Sequence, residues 1–143
     1  MQFCTNESKF DRINVLKATA EDVWSKIPHE DQDRIESVCD KVVFWDGGSQ
    51  IAAFSPKDRH IRVYVYDLNR FTIPAQRGIL AHEFGHAFDY AQRKVLSTRR
   101  DRNKWSEFEK LADEHALRWT FARDLELREK ENRQMWPDNE RAL

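Results

Sequence analysis

His82 and His86 stand four apart in a stretch that reads as a helix, and that spacing constrains the fold more than any other feature of the chain. Residues four apart on a helix lie one above the other, so both imidazoles project from one side. Strand-like residues Ile61 to Asp67 run into Leu68-Asn69-Arg70-Phe71-Thr72, and Pro74 then takes a first-turn position, with Thr72 or the residue after it as cap. A helix from about Pro74 to Arg93 is therefore expected. Leu80, Phe84, Ala87, Phe88, Ala91 and Val95 share its broad apolar face, while His82, His86 and Asp89 share the other.

With Glu83 the stretch reads His82-Glu83-Phe84-Gly85-His86, an HExxH pattern. Two imidazoles so placed can grip one Zn²⁺ at roughly 2.0–2.1 Å per bond. Glu83 lies about 100° round the helix, beside such a metal and not on it. A carboxylate there can take a proton from bound water, whose pKa zinc lowers to around 7, and later hand it to a leaving amine. The plainer alternative is a histidine pair satisfied on the surface or in the core of an ordinary amphipathic helix.

A catalytic zinc needs a third protein ligand and an open fourth position. Gln92 and Asp89 stand where the metzincin arrangement requires His and Gly, so that solution is excluded. The next helical segment, about Asn103 to Arg133, offers Glu107, Glu109, Glu114 and His115. Phe108, Leu111, His115, Trp119 and Ala122 form its main apolar stripe, and Glu109 borders that stripe in line with Ala112, Asp113 and Ala116. The two alanines allow close approach to the first helix, and Asp113, one turn from Glu109, can hydrogen-bond a ligating histidine. Glu107 and Glu114 point elsewhere and read as solvated charges, Glu114 with Arg118 as its i,i+4 partner. His115 lies about 120° from Glu109 and reads as a packed core histidine. Asp89, one turn beyond His86, is a second possible acceptor for an imidazole N–H, or else bonds a neighbouring loop.

Glu109 and Asp113 follow His86 as an ExxxD element, and here the chain resembles the gluzincin metallopeptidases, in which HExxH is followed by a helix bearing a Glu ligand and an acidic residue four later. His82-Glu83-Phe84-Gly85-His86-Ala87 with Glu109, Ala112, Asp113 and Ala116 is similar to the minimal gluzincins and the ImmA/IrrE-type peptidases, and around the first motif to the catalytic domain of anthrax lethal factor. The resemblance covers about residues 60 to 122. It implies a zincin-like fold, one Zn²⁺ held by His82, His86 and Glu109, Glu83 as general base and acid, and Asp113 as hydrogen-bond partner of a ligand. It also implies that an edge strand above the zinc helix binds extended substrate by strand addition; the strand His60 to Tyr66, or its hairpin neighbour, is the candidate, a solvated edge being the alternative. Tyr64, Tyr66, Tyr90 and His115 are candidate oxyanion donors.

Along the rest of the chain, residues 19–27 read as a short helix capped near Thr19, and 29–41 as a second one after Pro28. Val42 to Trp45 reads as a strand, Asp46-Gly47-Gly48 as a turn, Gln50 to Phe54 as the return strand, and His60 to Tyr66 as a third strand. The expected class is α+β: short N-terminal helices, a three-stranded, mostly antiparallel sheet, a zinc-binding helix and a second long ligand-bearing helix, in one domain over 1–143. A length of 143 residues, 40% of them hydrophobic, supplies one core and leaves no room for a second domain.

A formal charge of −1 gives no argument for nucleic acid or an anionic membrane, and neither a spanning segment nor a signal peptide is indicated. Cys4 and Cys39, isolated in the sequence, read as free thiols and so point to the cytoplasm, a single Cys4–Cys39 disulfide being the alternative. Arg99, Arg100, Arg102 and Lys104 form a basic connection between the two helices, a solvated loop or an active-site rim that attracts an acidic substrate segment or nucleic acid. Met1 to Lys17 is a candidate latency segment, and Trp136 a candidate docking residue.

The expectation is a monomeric zinc endopeptidase acting on a protein or peptide substrate. The alternatives are a regulatory or partner-binding module that keeps the framework with little or no peptidase activity, and a purely structural metal, for which a fourth side chain is lacking near the motif.

Overall fold

A computed structural model describes residues 1–5, 9–47, 50–95 and 102–135, the side chains of 102–105 excepted. Gly48, Arg99, Arg100 and Trp136, as well as the side chains of Arg102 and Lys104, thus lie outside the described residues. The elements follow in the order β1 (Gln2–Cys4), α1 (Ile13–Ser25), α2 (His29–Glu36), β2 (Lys41–Trp45), β3 (Ala52–Ser55), β4 (His60–Tyr64), α3 (Val65–Leu68), α4 (Ile73–Arg93), α5 (Arg102–Arg118) and α6 (Ala122–Met135). The class is α+β, as expected.

The sheet departs from the expected three mostly antiparallel strands: among the described residues it has four, in the order β1-β2-β4-β3. β1 and β4 both pair parallel to β2, and only β3 with β4 is antiparallel. The Asp46-Gly47 segment therefore does not close a hairpin between β2 and β3. The tight turn lies one connection later, at Pro56 to Arg59, where Arg59 N–H bonds Pro56 O at 3.2 Å and Arg59 adopts φ 56°. Val42 lies opposite Ile61 and Phe44 opposite Val63, and all four are essentially sealed from water. Alternation along the two central strands therefore turns one sheet face into the core. β4 is thus interior and cannot receive a substrate strand; among the described residues the sheet edges are β1 and β3. It also stops at Tyr64, because Val65 and Leu68 turn inward as one helical turn, with Asn69 N–H bonded to Val65 O at 2.9 Å.

α1 begins earlier than expected. Thr19 is no cap but sits mid-helix, its hydroxyl donating to Val15 O four residues back at 3.0 Å, while Leu16, Thr19, Ala20 and Val23 form the buried stripe. α2 ends at Glu36, short of residue 41, because the Arg59 guanidinium takes the Glu36 and Ser37 carbonyls at 3.2 and 3.0 Å and the chain turns toward β2.

α4 matches the expected helix and lies at the centre. Pro74 opens it, and the Thr72 N–H and hydroxyl donate to the Glu131 carboxylate at 2.8 and 2.6 Å. It is buried almost all round: Leu80, Phe84 and Phe88 join the main core, while His82 and Asp89, expected with His86 on a less apolar side, are also covered, as is Glu83. Two glycines let other helices come close. A Cβ on Gly78 would meet the Asp124 carbonyl oxygen at 2.5 Å, and one on Gly85 would lie 3.0 Å from Ala112 Cα.

The single helix expected over about 103–133 is two. It breaks at Thr120, which adopts φ 73°, with Phe121 N–H bonded to Ala116 O and Thr120 N–H to Leu117 O, both at 3.0 Å. This is a Schellman closure, and Phe121 buries itself behind it at 1% exposure. α6 then packs on α4, helped by the Arg77–Asp124 ion pair. Among the described side chains of α5 the buried positions are Phe108, Ala112 and Ala116, followed by Trp119 just past its end, with Leu111 and His115 half-buried, so the stripe is rotated toward the small residues from the one expected. Among the described residues no helix is long and apolar enough to cross a membrane.

Candidate metal centre

The one-face spacing of His82 and His86 brings their rings to 4.5 Å between centroids, nearly perpendicular at 86°. Possible ligand atoms of His82, Glu83 and His86 all lie within 4.8 Å of one another. The decisive addition comes from α5. Glu109 places Oε2 2.7 Å from His82 Nε2 and Oε1 3.2 Å from His86 Nε2, so one carboxylate bridges both rings. Of the four ligand candidates on this helix, Glu109 alone is brought to the histidines. Glu107 is exposed and pairs with Arg93 at 3.6 Å, and Glu114 is exposed.

His82 is held from its other nitrogen. Nδ1 donates to Asp113 Oδ1 at 2.6 Å, which leaves Nε2 as the atom directed at Glu109. Burial disfavours the His82 cation, yet its hydrogen bonds to Asp113 and Glu109 outweigh that and raise its pKa to about 9. Burial likewise pushes the Glu109 carboxyl up, but the bonds from His82 and His86 bring it down to about 2. Asp113 is held well below the usual carboxylate range because its bonds to His82 and Arg128 overcome its burial. Glu83, 5% exposed, shifts the opposite way: burial pushes its carboxyl up, against the pull of the neighbouring imidazoles. The four acids and bases are thus separated by environment, and Glu83 is the carboxyl that holds a proton more readily than usual.

Two imidazole nitrogens and one carboxylate of depressed pKa, converging from two helices beside a fourth, buried carboxyl, fit a divalent zinc-type cation by donor chemistry. The Nδ1–H bond to Asp113 is the support that a ligating histidine ordinarily has. His82, His86 and Glu109 could hold such an ion.

Other expectations meet different geometry. Asp89 does not face a ligating ring: it is turned to Arg93, at 3.2 Å, and His115, at 3.7 Å. The reason is its position one turn beyond His86, which carries it past the Glu109 level to the Phe88 end of the interface. His115 packs against Phe88 at 4.6 Å and Trp119 at 6.2 Å, as a core histidine should, and its pKa is lowered by burial and by Arg118. Arg118 does not pair with Glu114; it reaches across to Asp31 on α2 at 2.8 Å, where Trp119 Nε1 also donates at 2.7 Å. Among the oxyanion candidates, Tyr64 Oη accepts from Arg62 at 3.3 Å, Tyr66 is 54% exposed against Phe10, and Tyr90 packs on Phe54. Cys4 and Cys39 are free thiols, and burial pushes the Cys39 pKa up to about 12.

Arg128 is the residue that sequence reasoning missed. It lies in a charged segment, yet Leu125, Arg128 and Asn132 are its buried positions, spaced three and four apart. Only Leu125 of that stripe is apolar, so the sequence carried no signal for Arg128.

No protein-family profile matches the chain, no curated protein matches it, and no solved structure matches its fold.

Proposed function

We propose that this chain is a zinc-dependent peptidase of the gluzincin type, with His82, His86 and Glu109 as ligands and Glu83 as general base. The observation that carries the reading is the Glu109 carboxylate, which approaches Nε2 of both histidines, at 2.7 and 3.2 Å, from a separate helix. An accidental HExxH offers no reason for a third donor at that point. Bound there, zinc would supply a Lewis acid for the scissile carbonyl and would lower the pKa of water to around 7.

The chain's own residues supply the rest. Glu83 carries the proton: its carboxylate accepts it from the attacking water and delivers it to the leaving amine nitrogen. Burial favours the protonated carboxyl that this return step needs. Asp113 accepts the Nδ1 proton of His82 and so leaves Nε2 as the nitrogen that would give its lone pair to the ion in place of its proton. The bury of His82, at 1% exposure, keeps water from competing for that nitrogen.

The test is metal content by elemental analysis together with cleavage of a peptide library. Wild type should carry about one zinc per chain, and Glu109→Ala should lose it. Glu83→Gln should retain zinc while hydrolysis falls at least about a hundredfold. A Glu83→Gln chain that cleaves as wild type does would overturn the mechanism. Zinc uptake without any cleavage by wild type would favour the regulatory module.

A further inference from the structure

Arg128 belongs to no ligand set, yet its side chain is 8% exposed and engages a carboxylate of the centre with both ends of its fork. Nη1 donates to Asp113 Oδ1 at 2.8 Å and Nη2 to Oδ2 at 3.1 Å. Oδ1 is the same oxygen that accepts the His82 Nδ1 proton. We infer that Arg128 is a positioning residue of the metal centre, which acts through Asp113 to hold His82 with Nε2 presented to the cation. The inference rests on the metal reading proposed above.

Asp113 needs such a support. Its side chain is 33% exposed, so water competes for its oxygens, and a carboxylate has two soft torsions by which to swing off the ring. A planar guanidinium pins both oxygens at once, which an ammonium cannot do. A mere tie between α5 and α6 would not need to meet the oxygen that receives His82. The docking of α6 also has other anchors, Glu131 on Thr72 and Asp124 beside Arg77.

The experiment measures the zinc dissociation constant by chelator competition on chain stripped of metal and reloaded. Wild type is compared with Arg128→Met, Arg128→Lys, Asp113→Asn, the Arg128→Met/Asp113→Asn double variant and Glu131→Gln. Arg128→Met and Asp113→Asn should each weaken zinc about ten- to hundredfold. The double variant should be no weaker than Asp113→Asn alone, because the arginine acts through the aspartate. Arg128→Lys keeps the charge but not the fork and should fall near Arg128→Met. Glu131→Gln loosens α6 elsewhere and should lower Tm while leaving zinc binding unchanged. The visible bands of the Co²⁺-loaded chain should shift alike in Arg128→Met and Asp113→Asn and stay put in Glu131→Gln. Zinc binding by Arg128→Met at the wild-type level, or losses that simply add in the double variant, would sink the inference. If Arg128→Met does not fold, the same outcomes are read from Arg128→Lys. A wild-type chain that takes up no zinc would instead defeat the metal reading itself, before any variant is made.

Discussion

At the level of single residues, the centre is organised around a charge deficit. His82 has a carboxylate oxygen on each ring nitrogen, Asp113 at 2.6 Å and Glu109 at 2.7 Å. Such a ring draws in a proton when nothing else is bound, which is why its pKa rises to about 9, and the proposed metal would compete for the same Nε2. A second residue-scale device lies away from the centre. Asp31 accepts from Trp119 Nε1 and Arg118 Nη1 at 2.7 and 2.8 Å, and these bonds, against the opposing effect of burial, lower its pKa below 3.8. A carboxyl with a depressed folded-state pKa stabilises fully above its unfolded pKa and loses that contribution as pH falls through the folded value. Asp31→Asn should therefore cost about 1.5–3 kcal/mol near neutral pH. The gap between wild-type and variant Tm should narrow as the pH is taken below about 4. A gap that stays constant down to pH 2 would disprove the assignment.

At the level of elements, the break between α5 and α6 decides what α6 can do. Thr120 adopts φ 73° although it is β-branched, a conformation that costs about 1–2 kcal/mol for a residue with a Cβ. The closure tolerates this because Phe121 gains a buried seat and α6 is returned to α4. Thr120→Gly should relieve that strain and raise stability by about 1 kcal/mol, seen as a Tm increase of about 3 °C. An unchanged or lower Tm would mean the strain is absent. The break was not legible in the sequence, because nothing between Trp119 and Ala122 is a glycine or proline and the apolar period continues across it. By contrast α4 was readable, since Pro74 and the run of apolar spacings are local signals. Helical angle also separated Glu109 and Asp113 from Glu107 and Glu114. That worked because it concerns neighbours on one helix, whereas the Arg118 bond to Asp31 and the Arg128 fork on Asp113 join separate ones.

At the level of the whole molecule, the same distinction explains the sheet. The strands β2 and β3 were visible as short β-prone runs and β4 in its alternation, but their order was not, because Asp46-Gly47 looks as fit for a hairpin as Pro56 to Arg59. Pairing of β2 with β4 is set by the joint burial of Val42, Phe44, Ile61 and Val63, a property of the assembled core. β1 gave no readable alternation in three residues. The close seating of α5 on α4 has a further result. With no side chain at position 85, Ala112 of α5 lies main chain to main chain against α4, one turn along from Glu109. The reach of that carboxylate is consequently gauged by backbone, which rotamer motion cannot retune. Gly85→Ala should cost about 1–3 kcal/mol and weaken zinc uptake without altering any donor atom. In a survey of all substitutions, position 85 should prove as intolerant as the donors themselves, a silent spacer whose loss mimics the loss of a ligand.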